Sequence, residues 1–172
     1  MSSISTSNSD SSSTLGVNET INIISNILTE IIDDNSSLKE DNLLEYSIFD
    51  CKVKPKITIK KYLERILKHT GIENSTLICS FILLDRLVAC SQIALTSKNI
   101  HQILLSSITI ALKVNEDHIY TDNFYAKIGG ISLSELNELE AELLQITDYK
   151  VSIDEKTFNL YQLFIQIYEK IF

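Results

Sequence analysis

The chain of 172 residues holds one proline, four glycines and no tryptophan. A strand-rich fold needs turn residues roughly every 8–12 positions, so this scarcity excludes an all-β architecture and points to a mainly helical protein. Basic residues are also short, 15 against 23 acidic, leaving a net charge of −8. A nucleic-acid binder would have to neutralise phosphates with a basic face, and no such face is present, so nucleic acid is not an expected partner. Cys51, Cys79 and Cys90 are odd in number and form no C-x-x-C pair. Neither a disulfide framework nor a zinc or other metal site is expected, and the bland inference is a reduced compartment, cytosol or nucleus. The N-terminus does not join basic residues to an apolar run, so no signal or transit peptide is expected. There is no Gly-rich phosphate loop, and His69, His101 and His118 are scattered. No cofactor and no catalytic cluster is therefore expected, which disfavours an enzyme.

What the chain does have is hydrophobic residues, 44% of the total, ample for one core of about 100–150 residues. They centre on Thr96 to Asp117. From Asn99 through Leu112 there is no charged side chain, and Ile100, Ile103, Leu104, Leu105, Ile108, Ile110, Ala111, Leu112 and Val114 fall on every side of a helical wheel. A helix apolar all round is a buried one. This one is interrupted by Ser106, Ser107 and Thr109 and is shorter than the roughly 18 residues a membrane span needs, so other helices of the chain must bury it. Thr96 is its expected N-cap. Lys113 falls near the other end, where the partial negative charge of a helix C-terminus favours a cation.

Around this centre the order of elements is readable. Met1 to Val17 is Ser/Thr-rich with few bulky apolar residues, the composition of a disordered tail. Asn18 caps an expected amphipathic helix with Ile21, Ile24, Ile27, Leu28, Ile31 and Ile32 on one stripe, ending near Asp33-Asp34. The run DDNSSLKEDN reads as a surface loop, and Leu43 to Val53 as either a short helix or an extended linker. Ile59, Tyr62, Leu63, Ile66 and Leu67 then recur at helical spacing up to Gly71, predicting a helix from Ile57 to Thr70. Asn74 caps the next, Ser75 to about Gln92, largely apolar but with Asp85-Arg86 embedded in it. Beyond the central stretch, HIYTDNFYAKIGG predicts a short helix with Phe124, Tyr125 and Ile128, ended by Gly129-Gly130. Ser132 and Glu135 form an S-x-x-E capping box for a helix from Leu133 to about Thr147. Asp154 caps a last one through Phe158, Tyr161, Leu163, Phe164, Ile167 and Tyr168.

Two places strain this pattern. Asp85 and Arg86 sit among apolar residues, where charges cost desolvation unless satisfied, and the plain expectation is local bonds that lock helices together. In the helix from Leu133, leucines 133, 136, 139, 143 and 144 share one side while Glu138 and Glu142 face water. Glu140 falls between Leu136, Leu143 and Leu144, so a covered carboxylate there requires a cationic or hydrogen-bonding partner.

From Ile57 to Ile153 the segments ITIKKYLERILKHTG, NSTLICSFILLDRL, LTSKNIHQILLSSITIALK and NFYAKIGGISLSELNELEAELL together resemble a cyclin box. The last resembles in particular the single-box cyclins of the P/U type, the group that includes the phosphate-pathway cyclins. The resemblance implies an all-α fold: a five-helix cyclin box over 55–153 around a buried central helix, preceded by a tail (1–17) and an N-terminal helix with linker (18–54), and followed by a C-terminal helix (154–172). It also implies a partner, a cyclin-dependent protein kinase bound as a heterodimer, whose mobile αC helix the cyclin presses so that the kinase's Lys–Glu pair takes its active arrangement. By resemblance the polar kinase contacts fall on Lys113 and Glu140, and the apolar ones on Val114, Leu144, Tyr149 and Val151. The match departs at the substrate-docking motif of cell-cycle cyclins, MRAIL, where Pro55, Lys56, Ile57, Thr58 and Ile59 stand. Docking by that route is not expected, and the family's buried Arg–Asp bond is expected as Lys56 with Asp85. A cyclin-fold adaptor that binds a partner without activating a kinase is the competing expectation.

Overall fold

Thirteen consecutive residues, Ile100 to Leu112, are buried, His101, Gln102, Ser106, Ser107 and Thr109 among them. They belong to helix α4, Ile100–Asn115, and the rest of the chain is arranged to cover it. The computed structural model describes residues 15–37 and 47–171, and these fold into helices with no strand among them. In order they are α1 (Val17–Ser37), α2 (Ile59–Thr70), α3 (Asn74–Cys90), α4, α5 (Asp122–Gly129), α6 (Leu133–Ile146) and α7 (Glu155–Ile171). Helices α2, α3, α5 and α6 pack on α4, while α1 and α7 pack on each other and on α3. Two of the hydroxyls inside α4 are absorbed by its own backbone: Ser106 Oγ donates to the Gln102 carbonyl at 3.0 Å and Thr109 Oγ1 to that of Ser106 at 3.1 Å. Close packing fixes one glycine. A Cβ on Gly129 at the end of α5 would lie 2.2 Å from Cδ2 of buried Leu105, so that turn approaches α4 only without a side chain.

Local signals set most helix ends. Thr58 caps α2 by accepting from the Lys61 amide at 3.3 Å, and Gly71 ends it in a left-handed conformation, φ 67°. Gly130 closes α5 in the same way, φ 78°. Asp154 caps α7 through the Thr157 amide at 2.9 Å, and these bonds hold its carboxyl below the usual carboxylate range. Ser132 caps α6 through the Glu135 amide, but Glu135 does not complete the box. Its carboxylate instead accepts from Gln102 Nε2 of α4 at 2.7 Å, because a buried amide has more to lose by going unpaired than an exposed backbone N–H.

Other ends differ from the sequence reading. Helix α1 starts at Val17, not after Asn18: the Glu19 carboxylate accepts from the Gly16 amide at 2.7 Å. It runs on through Asp33-Asp34 to Ser37 because Asn35 Nδ2 donates to the Leu95 carbonyl at 3.0 Å, tying its last turn to the α3–α4 connection. Ile31 is exposed, off the buried stripe, and Ile23 is buried instead. Leu15 and Val17, assigned to the tail, pack against the core, and Asn74 Nδ2 donates to the Leu15 carbonyl at 3.0 Å. The tail proper (1–14) and 38–46 lie outside the described residues. Residues 47–58 are irregular, which settles the described part of the Leu43–Val53 question in favour of a linker, pinned by fully buried Phe49. Asn74 and Thr96 do not cap as expected. Glu73 stands at the α3 cap, and α4 begins after a turn in which Asn99 Oδ1 accepts from the Thr96 amide at 2.8 Å.

Candidate functional site

Glu140 is buried, as its place on the α6 wheel requires, and its partner is Lys113. Lys113 Nζ lies 2.9 Å from Glu140 Oε1 and 2.8 Å from Oε2, a two-pronged bond from the last turn of α4 to the middle of α6. Asp122, in the first turn of α5, closes a triad with Oδ1 2.7 Å from the same nitrogen. Each charge suits its helix: the lysine at a C-terminus and the aspartate at an N-terminus both complement the macrodipole. Asp122 escaped the sequence reading, although an acidic residue at the N-terminal end of an expected helix was the signal available.

Exposure varies across the triad. The Glu140 side chain is 10% exposed and that of Lys113 30%, so the carboxylate is sealed while the ammonium reaches the surface. Burial alone would lower the Lys113 pKa, but the bonds from Asp122 and Glu140 outweigh it and hold the ammonium above its ordinary range. One cation stands against two carboxylates, so acidic groups outnumber basic ones at this corner.

The apolar residues that the resemblance assigns to the contact differ in exposure. Val114, next along α4, is 48% exposed, and Tyr149 is 66% exposed. Leu144 and Val151 are half-buried against the core. Tyr149 stands out because the chain reverses sharply after α6. Asp148 and Tyr149 are both left-handed, φ 52° and 56°, a conformation costing L-residues roughly 1–2 kcal/mol each. The turn is held by the Tyr149 amide to the Leu144 carbonyl at 2.8 Å and by Thr147 Oγ1 to the Leu143 carbonyl at 2.8 Å. The α4–α5 connection adds exposed Ile119 and Tyr120, the latter stacked on Phe124 at 4.2 Å.

The residues expected to be structural divide. Arg86 is half-buried on α3, and its Nη1 donates to the Lys150 carbonyl and, at 3.2 Å, to that of Ser152. It thereby fixes the strip that carries Tyr149 and Val151. Asp85 is exposed rather than embedded. Its carboxylate accepts from the Tyr161 hydroxyl of α7, and burial together with that carboxylate pushes the Tyr161 phenol up to about 12. The expected bond of Lys56 to Asp85 is not formed. Lys56 is exposed and in no ion pair among the described residues, since α7 supplies Asp85 with a nearer partner. Glu142 is half-buried and Leu133 exposed, both slightly off their expected sides of α6.

A helical box with a charged corner that reaches solvent beside exposed Val114 has features found at protein-contact surfaces. Comparison with known proteins identifies the box. The Cyclin family model matches residues 10–151, a span that takes in α1 through α6. The chain is 32% identical over 136 residues to Cyclin-P3-1 of Oryza sativa subsp. japonica, covering 78% of this chain and 58% of that protein. It is 33% identical over 113 residues to Cyclin-U3-1 of Arabidopsis thaliana, covering 66% and 51%, and 33% identical over 144 residues to Cyclin-U4-3 of the same plant, covering 83% and 65%. The chain belongs to the cyclin family, in its P/U-type group. It thus spans between half and two-thirds of the length of these curated relatives. No helix among the described residues is long and apolar enough to cross a membrane.

Proposed function

We propose that the chain is the regulatory, non-catalytic subunit of a cyclin-dependent protein kinase, in the cytoplasm or nucleus, and that it activates the kinase by positioning the αC helix. Family membership supports a regulatory role, and the placement of Lys113 and Glu140 carries the finer reading. A pair needed for stability alone gains nothing from an ammonium that reaches the surface beside exposed Val114. In this reading a helix of the kinase covers Val114, Leu144, Tyr149 and Val151, and the triad offers it a fixed ammonium flanked by carboxylates. Water leaves the corner, which strengthens each charged contact.

The test is a pull-down with phosphotransfer assay on purified Lys113→Ala and Glu140→Ala, using cyclin-dependent kinases from the source cell. Expected is a loss of kinase binding on the order of a hundredfold, as for truncating one member of a desolvated charge pair, with both variants still folded. Normal activation by both would overturn the reading. Binding that survives in the unaltered chain without any gain in phosphotransfer would establish the adaptor role instead.

A further inference from the structure

The last helix is covered on one side only. Phe158, Tyr161, Ile165 and Tyr168 face α1 and α3, anchored by Tyr161 to Asp85 and by Tyr168 Oη to Glu30 at 2.7 Å. On the outer side Leu160, Leu163, Phe164, Ile167 and Ile171 are each between 47% and 67% exposed. Leu160, Phe164, Ile167 and Ile171 are spaced four, three and four residues apart, the alternation that forms the seam of a coiled coil. A contiguous apolar stripe of this kind is uncommon on a free surface and marks a contact with another helix.

Charge says which kind of helix. The solvent edge of the seam is lined by Lys156, Leu163 and Lys170, and neither lysine forms an ion pair among the described residues. Successive residues turn by about 100°, so Glu155 and Glu169 lie farther from the seam than the lysines that follow them. The opposite edge, Tyr161 and Tyr168, is committed to the body of the protein. In a chain of net charge −8, two lysines without an ion pair among the described residues line this edge, with Glu155 beside Lys156, Leu160 and Leu163 around one surface groove.

We propose that the outer face of α7 is a docking site for an acidic amphipathic helix of a partner protein. Its apolar residues fill the seam of Leu160, Phe164, Ile167 and Ile171, and its carboxylates pair with Lys156 and Lys170. Helix α7 makes no contact with α4 among the described residues, and the proposal does not rest on the kinase reading.

The probe is a three-heptad synthetic peptide with Leu at the seam positions and Glu at the flanking ones, alongside a twin with Lys for Glu. Like charges keep each peptide from pairing with itself. Titrated by fluorescence anisotropy against the full chain, the Glu peptide should bind saturably and roughly tenfold more tightly than its twin, with affinity falling as salt rises. Lys156→Glu with Lys170→Glu should reverse the preference. Leu163→Ser with Ile167→Ser should abolish binding at an unchanged melting temperature. Equal binding of the two peptides, or binding that survives the serine substitutions, would overturn the proposal. So would a marked fall in melting temperature on those substitutions, which would mean the chain's own residues cover the face. A concentration-dependent dimer of the unaltered chain that the serines abolish would assign the face to a second copy and equally overturn it.

Discussion

The two ends of α4 solve the same problem differently. Each must satisfy polar side chains in an apolar setting, and each does so by tying α4 to its neighbours. At the N-terminal end His101 Nε2–H donates to the Ile57 carbonyl at 2.9 Å with Tyr62 edge-on at 4.9 Å, and Gln102 donates to Glu135. Both residues are buried, and His101 Nδ1 and Gln102 Oε1 have no hydrogen-bond partner among the described residues. This end is closed, its bonds spent on the fold. At the C-terminal end the Lys113 ammonium is held by two carboxylates and reaches solvent beside exposed Val114. A polar group sealed on all sides holds its own chain together, whereas one with an open side remains available to another molecule.

Substitutions at the two ends should therefore separate stability from binding. The largest stability loss is expected at the closed end: His101→Ala leaves a cavity and orphans the Ile57 carbonyl, costing about 3 kcal/mol in urea unfolding while kinase capture by the folded fraction stays intact. If His101→Ala abolished capture at full stability, the division between the ends would be wrong. Next comes Gly129→Ala, whose methyl must displace Leu105 where α5 leans on α4. About 2 kcal/mol should be lost, and an unchanged melting curve would show that the α4–α5 contact is looser than 2.2 Å implies.

At the open end, Glu140→Ala should cost about 1 kcal/mol, since water reaches the ammonium and Asp122 remains as its partner, whereas Lys113→Ala leaves the sealed Glu140 carboxylate unpaired and should cost about 2 kcal/mol. A larger loss for either than for His101→Ala would make the corner a structural bond first. The pH dependence sharpens the contrast. Burial, partly offset by the Ile57 bond, holds the His101 pKa below its ordinary value. A depressed histidine pKa means that the unfolded chain takes up the proton first. The neutral ring's contribution is present above about pH 6.5 and is lost as pH falls from there through the folded pKa. Wild type should thus lose stability relative to His101→Gln below about pH 6.5, and parallel curves would refute this. The smallest effect is expected for Glu138→Ala, exposed on α6 one residue before buried Leu139. Within about 0.5 kcal/mol of wild type and with normal capture, it serves as the control.

The sequence by itself determined the elements and the awkward residue. Uncharged Asn99 to Leu112 had to be buried because its apolar residues fall on every side of the helix. The glycine stops at 71 and 130 and the caps at Ser132 and Asp154 are local chemistry, readable within a few positions. Glu140 betrayed a hidden partner by its angle on the wheel. Tertiary structure alone decided who that partner is, that Asp122 joins it, that Tyr161 rather than Lys56 takes Asp85, and that Glu135 leaves its capping box for Gln102. It also decided which side of α7 is covered. That helix is apolar on both faces, and periodicity records apolar residues without recording which neighbour reaches them. The physical reason is range: caps and periodicity act within a turn or two, whereas a charge chooses its partner by distance in space, which the order of residues does not contain.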